Sequence, residues 1–364
     1  MGASGLSSET GYVLPLRWTE PGPIEELAAY LRGIRAEVGE ILVVDGSPPP
    51  HFEAHAQALR GVARHLRPDR DLRFAMGKVN GVLTGVRACR RERIVLADDD
   101  VRYDAEALRR AVTLLDGAEL VRPQNFFDEL PWHARWDTAR TLLNRVFTGD
   151  SDFPVGDFPG TLAVRRSALL ATGGYDGDAL FENLELMRTI RAAGGRVATP
   201  LDLYVARRPP SAAHFRGQRV RQAYDDFAIP ARLGFFLAAL PLVGAVLARC
   251  ARRNRPRGGI ARLAIAAVGV SSVAELGRRR AGGSSRFPAT SSLLAPAWVL
   301  ERSLCAWLAV GARLRGGVRY GDARLRLAAT RARLLRRRYA STSDGGSGGT
   351  ATAAPLAARK PSAL

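Results

Sequence analysis

Short apolar runs alternate with helix-like segments over the first part of the chain. Four runs rich in Val, Ile and Leu end at Gly, Pro or Asp and predict strands. They lie at 12–16, 40–44, 72–76 and 93–97. Segments with apolar residues three and four positions apart follow them and predict helices. They lie at 24–35, 52–66, 81–91 and 105–115. This alternation predicts an α/β fold with a mostly parallel sheet flanked by helices.

The pattern weakens after the fourth predicted helix. Residues 122–160 are rich in Phe, Trp, Asp and Pro without a clear period, which predicts an irregular segment of a length typical of functional or mobile regions. Regular structure is predicted again at 162–170 and at 180–193, the second of which should be a helix that stops at Gly194-Gly195.

The last third of the chain has a different pattern, with long apolar stretches separated by arginines. The stretches are 233–248, 263–274 and 287–312, the last broken by Glu301-Arg302. Sixteen helical residues span about 24 Å, whereas a bilayer core is roughly 30 Å thick, so the first stretch is marginal. Arginines flank it on both sides, which favours an even number of membrane crossings, or re-entrant and interfacial helices. The alternative is a soluble helical domain with a basic surface.

Charge divides the chain at the same place. The net charge is +19, and residues 232–364 hold 24 Lys and Arg against 4 Asp and Glu, so the remainder is near neutral. A basic segment of this kind suggests an anionic partner. Because aliphatic runs interrupt the basic residues and no nucleic-acid-binding motif occurs, we expect anionic membrane lipids and no nucleic acid. Three distant cysteines and a polar stretch at 1–10 predict a first domain in the cytoplasm, at the cell membrane.

An acidic cluster, Asp98-Asp99-Asp100, directly follows the predicted strand at 93–97. Three carboxylates repel one another unless a cation lies among them, and an Asp-x-Asp pair offers hard oxygen ligands to Mg²⁺ or Mn²⁺. The alternative is a helix N-cap or a solvated turn. The preceding strand places Asp98 and Asp100 at the edge of a parallel sheet where ligands bind, which favours a metal site.

Three further groups could contribute chemistry. Asp45 and Ser47 follow the second predicted strand, where a carboxylate could accept a hydrogen bond from a base or ribose, or could close an Asx turn. Lys78 and Asn80 occupy a glycine-flanked turn, which could offer Lys78 as a point charge for phosphate or could be an ordinary glycine-containing turn. Acidic residues open a predicted helix and could supply a general base or serve the helix dipole. They are Glu182 and Glu185.

Taken in order, these segments resemble the family 2 glycosyltransferases of GT-A fold, over about residues 12–227. The resemblance is carried by an Asp-Gly-Ser turn, a Lys/Asn-Gly segment, Asp-x-Asp, a glycine before an Arg-Arg-Ser-Ala-Leu…Gly-Gly-Tyr-Asp segment, and an acidic helix start. In this chain they are 44–47, 78–81, 98–100, Gly160, 165–169, 173–176 and 182–186. A second likeness is Gln218-Arg219-Val220-Arg221-Gln222, which is similar to the Gln-x-x-Arg-Trp motif of membrane-embedded members, with Gln222 in place of the Trp. The alternative is a basic interfacial helix.

The resemblance implies roles for these residues. Asp45 would contact the nucleotide base, Asp98 the nucleotide or ribose, and Asp100 the metal ion, with Asp98 as a second ligand. Donor contacts are expected from Ser47, Lys78, Asn80, Gly160, Arg219 and Arg221. The family's usual Asp at the acidic helix start is Asn183 in this chain, and an amide cannot take a proton. Glu182 is therefore the first candidate for the base and Glu185 the second.

The sequence thus predicts a metal-dependent, inverting glycosyltransferase that moves a sugar from a nucleotide diphosphate, with a UDP-sugar favoured, to a lipid or lipid-linked acceptor. The expected domains are a polar N-terminus at 1–10, a catalytic domain at 11–228, a membrane-associated region at 229–338 and a disordered tail at 339–364. The main alternative is a catalytically impaired membrane scaffold of the same fold, which Asn183 favours. A nucleotidyltransferase is disfavoured because residues 12–23 lack its glycine-rich loop.

Overall fold

The computed structural model describes residues 8–149, 160–253, 256–321 and 323–343. The chain groups into two compact units. We call the first the α/β unit; it comprises residues 1–125, 158–207 and 329–364. We call the second the helical unit; it comprises residues 126–157 and 208–328.

In chain order, the strands and helices are β1 (Thr10–Leu16), α1 (Ile24–Gly33), β2 (Glu40–Asp45), α2 (Pro49–Ala58), β3 (Arg64–Leu66), α3 (Gly77–Ala88), β4 (Arg93–Ala97), β5 (Val101–Arg102), α4 (Ala105–Thr113), β6 (Leu120–Val121), β7 (Gln124–Phe127), α5 (Trp132–Phe147), β8 (Thr161–Arg165), α6 (Arg166–Ala171), α7 (Glu182–Ala192), β9 (Val197–Ala198), β10 (Tyr204–Arg207), α8 (Ala212–Tyr224), α9 (Pro230–Arg252), α10 (Pro256–Arg279), α11 (Ala289–Leu314), β11 (Val318–Tyr320), β12 (Ala323–Leu325) and α12 (Ala332–Ser343).

A seven-stranded sheet in the order β3-β2-β1-β4-β8-β6-β9 forms the centre of the α/β unit. Strands β3, β2, β1 and β4 are mutually parallel, whereas β8 runs antiparallel to both β4 and β6. A smaller sheet has the order β5-β10-β7. The predicted fold class, a mostly parallel sheet flanked by helices and followed by apolar helices, is confirmed.

Apolar side chains fix helices to the sheet. Leu27 and Leu31 of α1 and Leu108 of α4 are fully buried in a core that also contains Tyr12 and Val43 of the sheet. Helix α3 approaches β1 so closely that a Cβ on Gly85 would lie 2.3 Å from Val13 Cγ1, so a glycine is required there. This tight packing brings the first turn of α3 to the end of β1.

Three sequence predictions are wrong in detail. The predicted helix at 52–66 ends at Ala58, and its last residues form β3, which pairs with β2. The predicted strand at 72–76 lies in a loop. The segment at 122–160 is not irregular throughout, because it contains β7 and the long helix α5, while residues 150–159 lie outside the described residues.

Among its described residues, the helical unit contains three helices that are long and apolar enough to cross a membrane. They are α9, α10 and α11, and they contain the three apolar stretches of the sequence. After them the chain returns to the α/β unit, where Tyr339 of α12 donates a hydrogen bond from its hydroxyl to the Thr172 carbonyl oxygen at 3.0 Å. Helix α12 extends to Ser343, and the rest of the predicted disordered tail lies outside the described residues.

Candidate active site

The site in the α/β unit is built at one edge of the large sheet. Because β1, β2 and β4 are parallel neighbours, their carboxyl ends lie at the same edge. Trp18 follows β1, Asp45 ends β2, and Asp98 follows β4. Strand β8 runs the opposite way, so Gly160, just before its first residue, lies at this edge too.

Lys78, in the first turn of α3, joins two acidic groups. Its Nζ lies 2.6 Å from Asp98 Oδ1 and 2.7 Å from Glu182 Oε1. Burial opposes a charge on Lys78, but the attraction of Asp98 and Glu182 outweighs it and raises the pKa of the lysine. The side chains of Lys78 and Asp98 are each 22% exposed, so this trio can be reached from solvent. Three motifs that are distant in sequence therefore form one charged cluster.

Asp98 is held by its backbone as well. Its amide donates to the Gly160 carbonyl oxygen at 2.8 Å, and a Cβ on Gly160 would lie 2.7 Å from Asp98 Oδ2. Gly160 is fixed in turn by Asn125, whose Oδ1 accepts from the Gly160 amide at 2.9 Å. Burial raises the pKa of Asp98, Lys78 lowers it, and the neighbouring Asp100 raises it further, leaving the pKa above its usual value.

The other two aspartates have different partners. Trp18 donates from Nε1 to Asp99 Oδ2 at 2.5 Å, and Arg207, the last residue of β10, donates from Nε to Asp100 Oδ2 at 2.7 Å. The second oxygen of Asp100, Oδ1, is buried and has no hydrogen-bond partner. Such an orphaned oxygen is costly unless a ligand satisfies it.

The donor set fits a divalent cation that is shared with a bound ligand. Among the described residues, three carboxylates (Asp98, Asp100 and Glu182) pair with two cations, Lys78 and Arg207, and Asp99 accepts from the neutral Trp18 indole. Within the described part of the chain, no group of three or more His, Cys, Asp and Glu is arranged to hold a metal. A cation at Asp100 would therefore need further oxygens from a ligand, as Mg²⁺ commonly takes from phosphates.

Asp45 lies in a fully buried hydrogen-bond network. Its Oδ1 accepts from the Ser47 amide at 2.8 Å, and its Oδ2 lies 2.8 Å from His55 Nδ1 and 3.0 Å from His65 Nε2. Burial would raise the pKa of Asp45, but the hydrogen bonds from His65, Ser47 and His55 outweigh it and hold the pKa well below its usual value. Ser47 Oγ accepts from the Trp18 amide at 2.9 Å, which links this network to the aspartate cluster.

Two other predicted residues bind neighbouring segments. The Asn80 side chain binds the backbone of Phe74. Its Oδ1 accepts from the Phe74 amide at 3.1 Å, and its Nδ2 donates to the Phe74 carbonyl oxygen at 2.9 Å. Glu185 is fully buried, with Oε2 accepting from the Thr330 amide at 2.6 Å and Oε1 buried without a hydrogen-bond partner. Burial raises the pKa of Glu185. Asn80 thus shapes the loop before α3, and Glu185 holds the segment before α12.

Arg219 and Arg221 belong to the helical unit. Arg219 on α8 is buried and donates to Glu301 at 2.7 and 2.5 Å and to Asp137 Oδ1 at 3.0 Å. Burial would raise the pKa of Asp137, but Arg140 and Arg219 lower it to about 2. Arg221 lies over the Tyr320 ring, 5.5 Å from its centroid.

The structure adds residues that sequence reasoning missed. Trp18, Asn125 and Arg207 each contact the aspartate cluster or its support, and His55 and His65 hold Asp45. None lies in a recognisable motif. The one available signal was position, because Trp18 lies two residues after the end of a strand of the parallel sheet, and Asp98 lies one residue after another.

Comparisons with known proteins give no close relative. No protein-family model matches the sequence, and no curated protein matches it. Among similar solved structures is a mannosyltransferase from Pyrobaculum calidifontis in complex with GDP-Man and Mn²⁺, at 19% identity over 82% of this chain and 87% of that chain, with a TM-score of 0.46.

Another is glucosyl-3-phosphoglycerate synthase from Mycobacterium tuberculosis in complex with Mn²⁺, UDP and phosphoglyceric acid, at 18% identity over 59% of this chain and 76% of that chain, with a TM-score of 0.40. The same enzyme with Mg²⁺ and UDP is 19% identical over 59% and 78%, with a TM-score of 0.39. TM-scores below 0.5 are too low for these likenesses to establish the activity of this chain, which must be argued from its own residues.

Proposed function

We propose that this protein is a metal-dependent, inverting glycosyltransferase that uses a nucleotide-sugar donor. The observation that carries the proposal is the contact of Lys78 Nζ with both Asp98 and Glu182, beside an Asp100 oxygen that is buried and unpartnered. A cation-binding carboxylate, a phosphate-binding ammonium group and a candidate base thus meet at the ligand edge of a parallel sheet.

The cationic side chains have a role in leaving-group departure. Lys78 offers a point charge for a phosphate oxygen, and Arg207 can donate to another once Asp100 takes a metal ion. A bound Mg²⁺ or Mn²⁺, held by Asp100 with Asp98, would supply Lewis-acid stabilisation of the departing nucleoside diphosphate. Asp45 and Ser47 would lie on the side of the site that receives the base or ribose, and Gly160 lets the backbone approach Asp98 closely.

Glu182 is the proposed base. As the acceptor oxygen bonds to the anomeric carbon, the bond from that carbon to the diphosphate oxygen breaks, the configuration inverts, and the acceptor proton passes to Glu182. Lys78 holds Glu182 beside Asp98 and keeps its carboxylate oriented toward the cluster. Glu185 is less suited to this step because it is fully buried and bonded to the Thr330 amide.

The acceptor is proposed to be a lipid or a lipid-linked molecule, because three apolar helices suit a membrane. The protein would act at the cell membrane with its α/β unit in the cytoplasm. Arginines at the helix ends suit anionic headgroups. Among donors, a UDP-sugar is favoured.

Calorimetry with UDP, GDP and dTDP, each with and without Mn²⁺, tests the donor site on purified full-length protein. We expect binding of one nucleotide that requires the metal and that Asp100→Ala abolishes, since the buried Oδ1 of Asp100 has no other partner. The matched control is Asp116→Ala, which removes a carboxylate paired with Arg93 at the opposite end of β4. This control should bind as the parent chain does.

Absence of nucleotide binding under every metal condition would contradict the proposal. Equal binding by parent and Asp100→Ala proteins would contradict the metal-ligand role of Asp100. The alternative function, an impaired scaffold of the same fold, is favoured by one observation: the candidate base Glu182 is already in an ion pair with Lys78. Metal-dependent nucleotide binding without sugar transfer to any lipid acceptor would support that alternative.

A further inference from the structure

The three apolar helices of the helical unit differ in their surroundings. In each helix we compare the most apolar stretch of 18 residues. Only 11% of this stretch is buried in α9 and 11% in α10, whereas 44% is buried in α11. All three have the length and composition of membrane spans, so length alone does not tell which of them cross a bilayer.

The path of the chain limits the number of crossings. The segment that follows the helical unit belongs again to the α/β unit, where the Thr330 amide donates to Glu185 at 2.6 Å and Arg188 donates to the Thr330 carbonyl oxygen at 2.9 Å. A compact unit lies on one side of a membrane. A chain that leaves this unit and returns to it must cross an even number of times, so three crossings are excluded.

Helix α11 is the least suited to cross. Its middle carries Glu301 and Arg302, and both side chains are committed to ion pairs within the helical unit: Glu301 with Arg219, and Arg302 with Asp226 at 2.9 Å. If α11 crossed, its middle would carry these charged pairs and their partners, Arg219 and Asp226, into the bilayer, where charged side chains are costly. These pairs tie α11 to α8 and to the turn before α9.

Helices α9 and α10 are apolar on every side. Residues 233–248 of α9 and 263–274 of α10 contain no charged side chain. Leu242, Ile265 and Val268 are 62%, 71% and 66% exposed. A helix that is apolar all round is expected inside a core or a bilayer, and only 11% of the most apolar 18 residues of each of these helices is buried in protein.

Among the described residues, the hydrogen bonds that join this pair to the rest of the helical unit lie in the first half of α9 and near the end of α10. Ser303 of α11 donates to the Phe236 carbonyl oxygen at 2.5 Å and accepts from the Leu240 amide at 3.1 Å. Arg145 of α5 donates to the Gly277 carbonyl oxygen at 3.0 Å. The opposite end, where α9 leads into α10, carries arginines and exposed apolar residues. Its arginines include Arg249, Arg252, Arg253, Arg257 and Arg262.

We propose that α9 and α10 form a helical hairpin that crosses the bilayer twice, and that α11 does not cross. Arginines mark both ends of the hairpin: Arg232 and Arg278 at the contacted end, and Arg249 and Arg257 at the turn. The uncharged stretch of α9 spans about 24 Å, and arginine side chains reach toward phosphate groups at either end, which brings the span close to the roughly 30 Å of a hydrocarbon core. This inference rests on the membrane association in the proposed function.

Helix α11 then lies along the membrane surface. Its exposed apolar residues recur at helical spacing on one side: Leu293, Leu300, Leu304, Trp307, Leu308 and Leu314. Its buried side carries Arg302 and Ser303. One exposed apolar stripe opposite a side that is packed against protein suits a helix at the membrane surface, in contrast to α9 and α10, which are exposed on most sides.

Sidedness of single cysteines tests the proposal in sealed membrane vesicles of both orientations that contain the full chain. Cys89, Cys250 and Cys305 are buried, so the parent chain gives the background reaction with a membrane-impermeant maleimide. The exposed positions to compare are Gln57→Cys in the α/β unit, Arg253→Cys at the turn, Ser284→Cys before α11 and Arg315→Cys after it.

We expect Gln57→Cys, Ser284→Cys and Arg315→Cys to react in one vesicle orientation, and Arg253→Cys in the other alone. Reaction of all four in the same orientation would overturn the hairpin crossing. Reaction of Ser284→Cys and Arg315→Cys in opposite orientations would show that α11 crosses and would overturn its assignment to the surface.

A carbonate wash separates this inference from the proposed function. If the parent chain leaves the membrane in carbonate, both the hairpin and the membrane part of the proposed function fail. Metal-dependent nucleotide binding does not depend on that outcome. If the chain stays in the membrane but the labels contradict the hairpin, only the topology is overturned.

Discussion

The aspartate cluster of the α/β unit and the ion-pair network of the helical unit contain similar groups but differ in balance. In the first, three carboxylates pair with two cations among the described residues, and one oxygen of Asp100 has no hydrogen-bond partner. In the second, two carboxylates face two guanidinium groups: Asp137 and Glu301 against Arg140 and Arg219. The cluster keeps negative charge for a ligand to neutralise, whereas the network neutralises itself.

Exposure differs at the centre of each group, although Arg140 and Glu301 at the margin of the network are 22% and 26% exposed. Asp98 and Asp100 are 22% and 26% exposed at their side chains, whereas Arg219 and Asp137 are each 8% exposed. A satisfied, buried network stabilises one arrangement of helices and has little left to offer a ligand. Dense charge by itself is therefore a poor sign of a binding site, and unbalanced, reachable charge is a better one.

The largest expected effect comes from Glu182→Gln. The amide keeps the shape and a hydrogen bond to Lys78 but cannot take the acceptor proton, so the turnover number should fall by roughly 10²–10⁴. Nucleotide affinity, measured by calorimetry, should stay close to that of the parent chain. Glu185→Gln is the control, because Glu185 lies in the protein interior against Thr330. Equal turnover losses in both variants would contradict the assignment of Glu182 as the base and of Glu185 as a structural carboxylate.

The second effect is on stability in the helical unit. Arg219→Met should lower the free energy of unfolding by about 3–5 kcal/mol, because it leaves Asp137 and Glu301 without their shared partner. Arg216→Met, an exposed arginine on the same helix, is the matched control and should change stability little. Denaturant unfolding in detergent measures both. A loss of nucleotide affinity at unchanged stability would instead support the predicted donor contact of Arg219.

The pH dependence of the same network has a definite sign. Since the folded-state pKa of Asp137 is lowered to about 2, its contribution to stability is complete above the unfolded pKa of about 4 and is lost as the pH falls through about 2. Arg219→Met should reduce that acid-dependent loss, because one of the two guanidinium groups that lower the pKa of Asp137 is gone. Denaturant unfolding of both proteins between pH 2 and pH 5 measures the free energy of unfolding that each loses on acidification. The two losses should differ by no more than the free energy that corresponds to a shift of the Asp137 pKa from about 4 to about 2.

The smallest expected effect is at Gly160. A Cβ there would meet Asp98 Oδ2 at 2.7 Å, so Gly160→Ala should push this carboxylate from its place and weaken donor binding roughly tenfold, about 1.4 kcal/mol. Gly33→Ala, where an added Cβ meets nothing within 4 Å, is the control. Unchanged nucleotide affinity in Gly160→Ala would mean that the position of Asp98 does not matter for the donor.

Much of the α/β unit was predictable because its strands appear in the sequence as short apolar runs. Buried runs such as 40–44 and 93–97 end at Asp45 and Asp98, and parallel pairing then brings these ends to one edge. Strand β3 was not predictable, since its three residues carry no alternating pattern and owe their conformation to pairing with β2.

Helix α5 was missed for a different reason. Its buried side contains Asp137, Thr138, Thr141 and Arg145, so it shows no apolar face in the sequence. Those polar groups are satisfied by contacts that include distant residues, as Arg145 is by the carbonyl oxygen of Gly277. Sequence periodicity detects a helix that buries apolar side chains, but it does not detect one whose buried side carries polar side chains.

By itself, the sequence determined the α/β alternation, the placement of acidic residues after buried strands, and three apolar helices bounded by arginines. Only the tertiary structure decided which charges are neutralised: Lys78 lies between Asp98 and Glu182, Arg207 binds one oxygen of Asp100, and the other oxygen stays free of partners. Composition and period are properties of neighbouring residues. Ion pairs depend on distances between segments far apart in the chain, and those distances are set by the order of the strands in the sheet.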